Sequence, residues 1–274
     1  MPLTSMPELV AGARGGIGAF NVIQLEHAEA IVRGTDDAGL PAILQISENC
    51  VRYHGALAPI ATATLAIAEA ASVPVAVHLD HAVDADLVRE AVELGIGSVM
   101  FDASALDYEA NVAATAAVVG YCHRRQAWVE AELGEVGGKD GVHAPGARTD
   151  PGDAAAFVRA TGVDALAVAV GSSHAMLTRD AALDEDLIAA LRDAVPVPLV
   201  LHGASGVSDD GLARAVARGI VKVNVGTQLN KAFTAAVRDY LAANLDVVDP
   251  RKYLEPGRAA MAAEVARLLT VLHG

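Results

Sequence analysis

The chain has 274 residues, 53% of them hydrophobic, and a formal net charge of −14, which disfavours a nucleic-acid partner because phosphate backbones are bound by clustered Lys and Arg. No apolar run reaches the roughly 18 residues of a membrane span, and no basic N-terminal segment precedes an apolar one, so we expect neither a membrane anchor nor a signal peptide. Cys50 and Cys122 give no disulfide framework, which favours a cytoplasmic location.

Eight short apolar runs recur along the chain and predict buried β-strands, with helical periodicity between them. The runs cover residues 18–22, 42–46, 75–79, 98–101, 127–131, 165–170, 198–201 and 221–225. Strands that alternate with helices pair in parallel. Eight such units in a chain of this length predict one domain, residues 1–274, folded as a closed (β/α)8 TIM barrel. An open doubly wound sheet is the alternative fold.

Helix start and stop signals support this alternation. After the third run, Asp84 is a candidate N-cap and Gly95 a stop. After the seventh run, Ser208 precedes an acidic first turn, and Gly219 ends the helix. A last helix is predicted to begin near Pro256.

Each of the eight runs ends in, or is followed by, a chemically useful residue, at the strand ends where TIM-barrel active sites lie. In chain order these residues are Asn21, Ser47, Asp80 with His81, Asp102 with Ser104, Glu130 with Glu132, Gly171 with His174, His202, and Asn224. Barrel closure would bring His81, His174 and His202 to one mouth. Three imidazoles with an open fourth position are a typical donor set for catalytic zinc.

The third run poses a geometric difficulty, because adjacent residues of a strand point to opposite faces. Asp80 and His81 can both face the mouth only if the strand ends or bulges between them. His78 lies deeper in the barrel and is predicted to support the site or the structure. The remaining histidines, His27 among them, are predicted to lie in loops or at the surface.

Glycine-rich segments after the seventh and eighth runs predict a phosphate site. The first follows His202 and precedes the helix capped near Ser208; the second contains Gly226 and Thr227. Phosphate sites built from the loops after strands seven and eight, beside a helix N-terminus, recur in TIM barrels. Backbone amides can hold a small phosphorylated substrate there without a net positive charge.

The same segments resemble the class II, metal-dependent ketose-bisphosphate aldolases, nearly end to end and in the same order. The matching stretches are Ala-Phe-Asn-Val22, His-Leu-Asp-His81, Ser-Val-Met-Phe-Asp102, Glu-Ala-Glu-Leu-Gly134, Leu-Ala-Val-Ala-Val-Gly171 with His174, Leu-Val-Leu-His-Gly-Ala-Ser-Gly206 and Lys-Val-Asn-Val-Gly-Thr227. The chain is similar to the shorter branch that includes tagatose-bisphosphate aldolase and many bacterial fructose-bisphosphate aldolases.

This resemblance implies reversible cleavage of fructose 1,6-bisphosphate, tagatose 1,6-bisphosphate or a related ketose phosphate to dihydroxyacetone phosphate and an aldehyde such as glyceraldehyde 3-phosphate. It implies that His81, His174 and His202 bind Zn²⁺ and that Glu132 can join the metal. Asp80 would exchange the proton of the substrate C4 hydroxyl. The implied substrate-binding residues are Asn21, Ser47, Ala175, Gly203, Ala204, Ser205, Asn224, Val225, Gly226 and Thr227. The resemblance also implies a homodimer or homotetramer and allows a monovalent cation.

The chain departs from the family pattern at two positions. The long irregular stretch 134–152 carries Gly-Gly-Lys-Asp140 where relatives have Gly-Gly followed by an acidic pair including Glu. Asp140 is the candidate base that deprotonates dihydroxyacetone phosphate, although it is shorter by one methylene. Ala175 stands where relatives usually have Gly. For the second phosphate, Arg251 is the candidate ligand.

Three alternatives stay open from the sequence. Lys222 in the eighth run could form a Schiff base with the substrate, although a structural Lys is the simpler interpretation. A zinc ion could instead activate water in a hydrolase. The altered loop would also fit a non-catalytic sugar-phosphate binding protein.

Overall fold

In the computed structural model of this chain, which describes residues 3–133, 148–172 and 178–274, eight parallel strands close into a barrel. The strands are β1 (Ile17–Asn21), β2 (Ala42–Ser47), β3 (Val75–Ala82), β4 (Ser98–Phe101), β5 (Trp128–Glu132), β6 (Ala165–Ala167), β7 (Leu199–Leu201) and β8 (Ile220–Val225). Each strand pairs with its neighbours in chain order, and β1 closes the barrel against β8. The predicted TIM barrel is confirmed.

Helices follow the strands in the alternation that the sequence predicts. In the described ranges they are α1 (Met6–Gly12), α2 (Leu25–Ala38), α3 (Glu48–His54), α4 (Ala58–Glu69), α5 (Ala85–Glu93), α6 (Tyr108–His123), α7 (Pro151–Thr161), α8 (Glu185–Ala194), α9 (Asp209–Arg218), α10 (Thr227–Ala243) and α11 (Pro250–His273), with a short 3-10 helix at Ala204–Gly206. None of the helices in these ranges combines the length and hydrophobicity needed to cross a bilayer.

The strands lie close to their predicted bounds, because buried runs of Val, Ile, Leu and Ala fit a sheet covered on both faces. The largest differences are at β3, which continues to Ala82, and at β6, which stops at Ala167. Beyond Ala167 the chain turns to a different partner: the Ala169 N–H donates to the hydroxyl of Thr149, and the Thr149 N–H donates to the Ala169 carbonyl. The Val168 N–H still donates to the Val200 carbonyl, so hydrogen bonding to β7 continues one residue beyond the end of β6.

Both predicted N-caps are present. The Asp84 side chain accepts a hydrogen bond from a backbone N–H in the first turn of α5, and the Ser208 side chain does so in α9. The C-terminal helix, however, begins at Pro250 rather than near Pro256, because Asp249 caps it by accepting from the backbone N–H of the second helical residue. Pro256 therefore lies inside α11, where it lacks the N–H for one helical hydrogen bond.

His27 corrects another prediction, because it is buried in α2 rather than exposed. Its ring packs edge-on against Phe233, with centroids 4.9 Å apart. Burial lowers the pKa of His27 to about 4, so the imidazole is neutral at neutral pH.

The barrel interior changes character from one end to the other. At the N-terminal strand ends, α1 covers an apolar cluster formed by Met6, Leu9, Ile17, Ala19, Ile43 and Ala76, called here the apolar end. Farther along the strands the buried inward side chains include the polar Gln45, His78, Glu130 and Lys222, beside a second apolar cluster of Met100, Ala165, Ala167 and Val200. Beyond this polar layer, the C-terminal strand ends open into a cavity.

Candidate active site

A cavity of about 590 Å³ opens at the C-terminal ends of the strands. Asp80, His81, His202 and Asn224 are among its lining residues and come from β3, β8 and the end of β7. One wall comes from β2 and α3, and another, on the other side of β1, comes from the segments that follow β7 and β8. The polar residues predicted at the ends of β1, β2, β3, β7 and β8 therefore share one cavity, whereas Asp102, Glu130 and Glu132, from the ends of β4 and β5, do not belong to its lining.

A β-bulge in β3 resolves the geometric difficulty at Asp80 and His81. The register between β3 and β4 shifts between Leu79 and Ala82, and His81 has a φ of 50°, which is uncommon for a residue other than glycine. Such a bulge re-aims a side chain. One donor atom each of Asp80, His81 and His202 consequently lie within 4.8 Å of one another.

Two imidazoles point a ring nitrogen at the same place, and a buried carboxylate holds each ring from behind. His81 Nδ1 lies 2.7 Å from Asp102 Oδ2, and His202 Nε2 lies 2.9 Å from Glu130 Oε1. The other two ring nitrogens, His81 Nε2 and His202 Nδ1, are 2.9 Å apart. Metal-binding histidines typically donate their second N–H to a carboxylate in this way. The donor set therefore fits a zinc ion.

The charges around His81 also favour a cation. Burial alone lowers the pKa of His81, but the carboxylates of Asp80 and Asp102 outweigh burial and raise it to about 9. Glu132 is buried nearby, with a carboxylate oxygen within 4.8 Å of donor atoms of His81 and Asp102. The same field that stabilises an imidazolium would stabilise a bound metal ion.

A buried ion pair in the polar layer, on the N-terminal side of the cavity, supports the site. Lys222 Nζ lies 2.7 Å from Glu130 Oε2, while the other oxygen of Glu130 faces His202. Both side chains are almost fully buried. A buried carboxylate needs such a partner, because an unpaired charge away from water is costly. In the described part of the chain Lys222 does not line the cavity, which argues against a Schiff base at this residue.

His78 lies in the same buried layer, as predicted. Its Nδ1 is 2.7 Å from Ser98 Oγ, and its Nε2 is 3.9 Å from Glu130 Oε2. Burial, followed by the positive charge of Lys222, lowers the pKa of His78 well below its usual value. The ring is therefore a neutral packing and hydrogen-bonding group.

The segments after β7 and β8, which are predicted to bind phosphate, line one wall of the cavity, and the structure corrects which helix begins there. Gly203 has a φ of 69° and leads into the 3-10 helix, whose Ser205 Oγ accepts a hydrogen bond of 3.2 Å from the Gln228 N–H. The helix that begins at the cavity is α10, which starts at Thr227, whereas Ser208 caps α9 outside the lining. Helix α10, rather than α9, thus offers its N-terminal amides to an anion.

Asn21, at the end of β1, lies between the loop after β8 and strand β2. Its Oδ1 accepts a hydrogen bond of 2.9 Å from Gln45 Nε2, and a Cβ placed on Gly226 would lie 2.9 Å from the same oxygen. A larger residue at this position would therefore displace the Asn21 amide from its hydrogen bond with Gln45. On the neighbouring side, Asn224 Nδ2 donates to Asp80 Oδ1 at 3.2 Å.

The other predicted site residues fall into three groups. Ser47 lines the cavity and also caps α3. Ala204 and Val225 are buried and do not belong to the lining. His174, Ala175 and Asp140 lie outside the described residues, so their predicted roles stay predictions.

Three residues of the site have contacts or positions that the sequence patterns do not predict. Glu130 lies two residues before Glu132, so strand alternation indicates the same inward face and could have identified it. Asp102 was recognised as a strand end, but its pairing with His81 depends on a tertiary contact. Arg52 lies on α3 at the cavity wall, and no sequence motif points to it.

Comparisons with known proteins agree along the whole chain. Residues 4–274 match the family model described as fructose-bisphosphate aldolase class-II. A fructose-bisphosphate aldolase from Geobacillus stearothermophilus is 40% identical over 272 residues, which cover 97% of this chain and 95% of that protein. The crystal structure of the YdjI aldolase from Escherichia coli K12 matches with a TM-score of 0.85 and 32% identity, over 97% of this chain and 94% of that one. A structure from Coccidioides immitis matches with a TM-score of 0.87 and 30% identity, over 97% and 95%.

Proposed function

Because this chain belongs to the class-II fructose-bisphosphate aldolase family, whose members are zinc-dependent lyases, we propose that it cleaves fructose 1,6-bisphosphate with zinc held by His81, His174 and His202. The products are dihydroxyacetone phosphate and glyceraldehyde 3-phosphate. Tagatose 1,6-bisphosphate or a related ketose phosphate is the alternative substrate. The observation that carries the proposal is the approach of His81 Nε2 to His202 Nδ1 beside Asp80.

A zinc ion at this position would supply a Lewis acid for the negative charge that develops on the substrate oxygens. The carboxylates of Asp102 and Glu130 keep the two rings in the tautomers that leave His81 Nε2 and His202 Nδ1 without a proton. Glu132 is a further carboxylate that can join the metal.

Asp80 carries the acid–base chemistry. Its carboxylate accepts the proton of the C4 hydroxyl as the C3–C4 bond breaks, and it returns that proton in the condensation direction. Asn224 orients the carboxylate through its hydrogen bond to Oδ1. Asp140 is the proposed base that exchanges a proton with C3 of dihydroxyacetone phosphate.

The wall formed after β7 and β8 binds the phosphate of dihydroxyacetone phosphate. Backbone amides between Gly203 and Ser205 and at the start of α10 face this anion, and the helix dipole of α10 favours it. Asn21 and Ser47 contact the substrate from the ends of β1 and β2. Ala175 is assigned to the same phosphate by resemblance to the family.

Three further parts of the proposal rest on the family alone. They are assembly as a homodimer or homotetramer, a cytoplasmic location, and a monovalent cation beside the substrate. That residues 1–274 act as a single domain is part of the same proposal.

One alternative is weaker for a physical reason, and the other two predict different outcomes in an assay. The ammonium group of Lys222 pairs with Glu130 beneath the cavity, so it is not positioned as a Schiff-base nucleophile. A zinc hydrolase would not release a triose phosphate from a ketose bisphosphate. A non-catalytic binding protein would retain metal and sugar phosphate without turnover.

The test is an assay of triose phosphate release from fructose and tagatose 1,6-bisphosphates side by side. We expect turnover to stop in a chelator and to return with a single zinc ion per chain, and we expect the fructose epimer to be preferred. His202→Ala should lose both zinc and turnover, whereas His273→Ala, an exposed residue at the end of α11, is the matched control. Turnover that survives chelation and is trapped by borohydride would favour Lys222 instead.

A further inference from the structure

The cavity has a second wall with a cation that the proposed function does not use. Among the described residues that line the cavity, Arg52 is the only Lys or Arg. It lies on α3, which follows β2, and β1 separates this wall from the wall assigned to the first phosphate. Arg251, the candidate from sequence, instead bonds to Asp249 at the start of α11 and does not line the cavity in the described chain.

The register of the barrel places α3 beside the reacting end of the substrate. Ser47 pairs with Asp80 across β2 and β3, and α3 begins at the next residue, Glu48. If Asp80 exchanges the C4 proton, the half of the sugar beyond C4 extends past Asp80 and away from the first phosphate. The α3 wall therefore faces the end of the substrate that carries the second phosphate.

The guanidinium of Arg52 has N–H donors that are available to a phosphate. One nitrogen lies 2.5 Å from Glu48 Oε1, and no other hydrogen bond of this side chain is present among the described residues. Arg has five N–H donors, and its planar fork matches phosphate oxygens. The Arg52 side chain is 62% exposed, whereas that of Glu48 is only 10% exposed and also accepts a hydrogen bond from the Val83 N–H. A phosphate can therefore bind the solvent-facing N–H groups of Arg52 while Glu48 keeps its bond to the same guanidinium.

We propose that Arg52 binds the phosphate on the aldehyde half of the substrate and so selects ketose bisphosphates over ketose 1-phosphates. This inference rests on the proposed aldolase function and adds the residue that reads the second phosphate. In a protein with a net charge of −14 and two carboxylates, Glu48 and Asp80, at this cavity, the positive charge of Arg52 favours the binding of a second anion there.

The test compares one pair of ligands in one pair of variants. Arg52→Gln is measured against Arg33→Gln, which removes a similarly exposed Arg, 58% exposed, on α2 outside the cavity lining. Cleavage of fructose 1,6-bisphosphate and of fructose 1-phosphate is assayed with zinc present. Binding of the corresponding hexitol 1,6-bisphosphate and hexitol 1-phosphate, which cannot be cleaved, is measured by calorimetry.

For Arg52→Gln we expect kcat/KM and affinity for the bisphosphate to fall about 10- to 100-fold, as for loss of a hydrogen bond to a charged group. The values for the 1-phosphate should change less than about twofold, and Arg33→Gln should change neither. Arg52→Lys should recover part of the loss, because it keeps the charge but not the fork.

Glu48→Gln separates anion binding from a structural role of the ion pair. Glutamine keeps an oxygen for the Val83 N–H, which donates to Glu48 Oε2 at 2.6 Å, and it releases Arg52. Retained or improved bisphosphate binding supports the proposal, whereas a loss equal to that of Arg52→Gln overturns it. Equal losses for both ligands in Arg52→Gln also overturn it while leaving the aldolase function intact. If the unchanged protein binds and cleaves neither ligand, both proposals fail.

Discussion

The two ends of the barrel interior are built on the same strands with different side chains. In β1, Ile17 and Ala19 belong to the apolar end, whereas Asn21, on the same face, lines the cavity. In β3, Ala76 belongs to the apolar end and Asp80 to the cavity. Inward positions recur every two residues along a strand. A change of residue type along one strand is therefore enough to form a packed apolar core at the N-terminal ends of the strands and a reactive cavity at their C-terminal ends.

The difference between the two ends lies in how they are specified. The apolar end is held by burial and packing, which are non-directional and tolerate swaps of similar volume. The polar end, which consists of the polar layer and the cavity above it, is held by specific hydrogen-bonded or charged pairs. Examples are His202 with Glu130 and Glu130 with Lys222, and each pair needs both partners. We therefore expect changes in the polar end to alter chemistry or break a pair, and changes in the apolar end to alter stability alone.

The largest expected effect is from Asp80→Asn, which tests whether the polar end does chemistry. Asparagine keeps the shape of the side chain but cannot take up the C4 proton. With zinc bound, kcat should fall by about 10²- to 10⁴-fold, measured by triose phosphate release. Zinc affinity should fall less than about tenfold, because the imidazole ligands remain.

Asp86→Asn, an exposed substitution of the same kind on α5, is the control for Asp80→Asn. Zinc lost in proportion to the rate would identify Asp80 as a metal ligand rather than a proton carrier.

The next effect is from Lys222→Met, which tests the pairing rule beneath the site. Removing the ammonium leaves Glu130 buried without its counter-charge, so the free energy of unfolding should drop by about 3 to 5 kcal/mol in chemical denaturation. Adding Glu130→Gln should recover most of that loss, because both charges are then gone.

Lys252→Met, at an exposed position on α11, should change the free energy of unfolding by less than about 0.5 kcal/mol. A double variant no more stable than Lys222→Met would mean that the packing of Lys222, rather than its charge, supports the polar end.

The strands and two helix caps could be predicted from the sequence because their causes are local. Apolar runs and turn residues give the eight strands, and Asp84 and Ser208 carry their own capping oxygens. The start of α11 was misplaced because Pro256 is tolerated inside a helix whose cap, Asp249, lies farther upstream. The buried state of His27 was missed because its ring contact with Phe233 joins residues far apart in the chain.

The residues of the candidate site also divide into those that the sequence predicts and those that depend on contacts between distant parts of the chain. Asp80, His81 and His202 could be named from their strand-end positions, which barrel closure brings together. The bulge at His81 appeared in the sequence only as a conflict between two adjacent polar residues that required one face. Whether Asp102 and Glu130 support the imidazoles, and whether Arg52 reaches the cavity, depends on side-chain partners across strands, which periodicity does not encode.

The smallest expected effect is from Ile43→Val, which tests the apolar end. Ile43 is fully buried among Ile17, Ala19 and Ala76, so loss of one methylene should lower the free energy of unfolding by about 0.5 to 1.5 kcal/mol. Because Gln45, the next inward residue on β2, keeps its own hydrogen bond to Asn21, kcat and KM should stay within about twofold of the unchanged protein. The free energy of unfolding, from chemical denaturation, and kcat and KM, from steady-state kinetics, are measured on the same preparation. A KM changed tenfold or more would show that packing at the apolar end also sets the geometry of the cavity, and that the two ends are not independent.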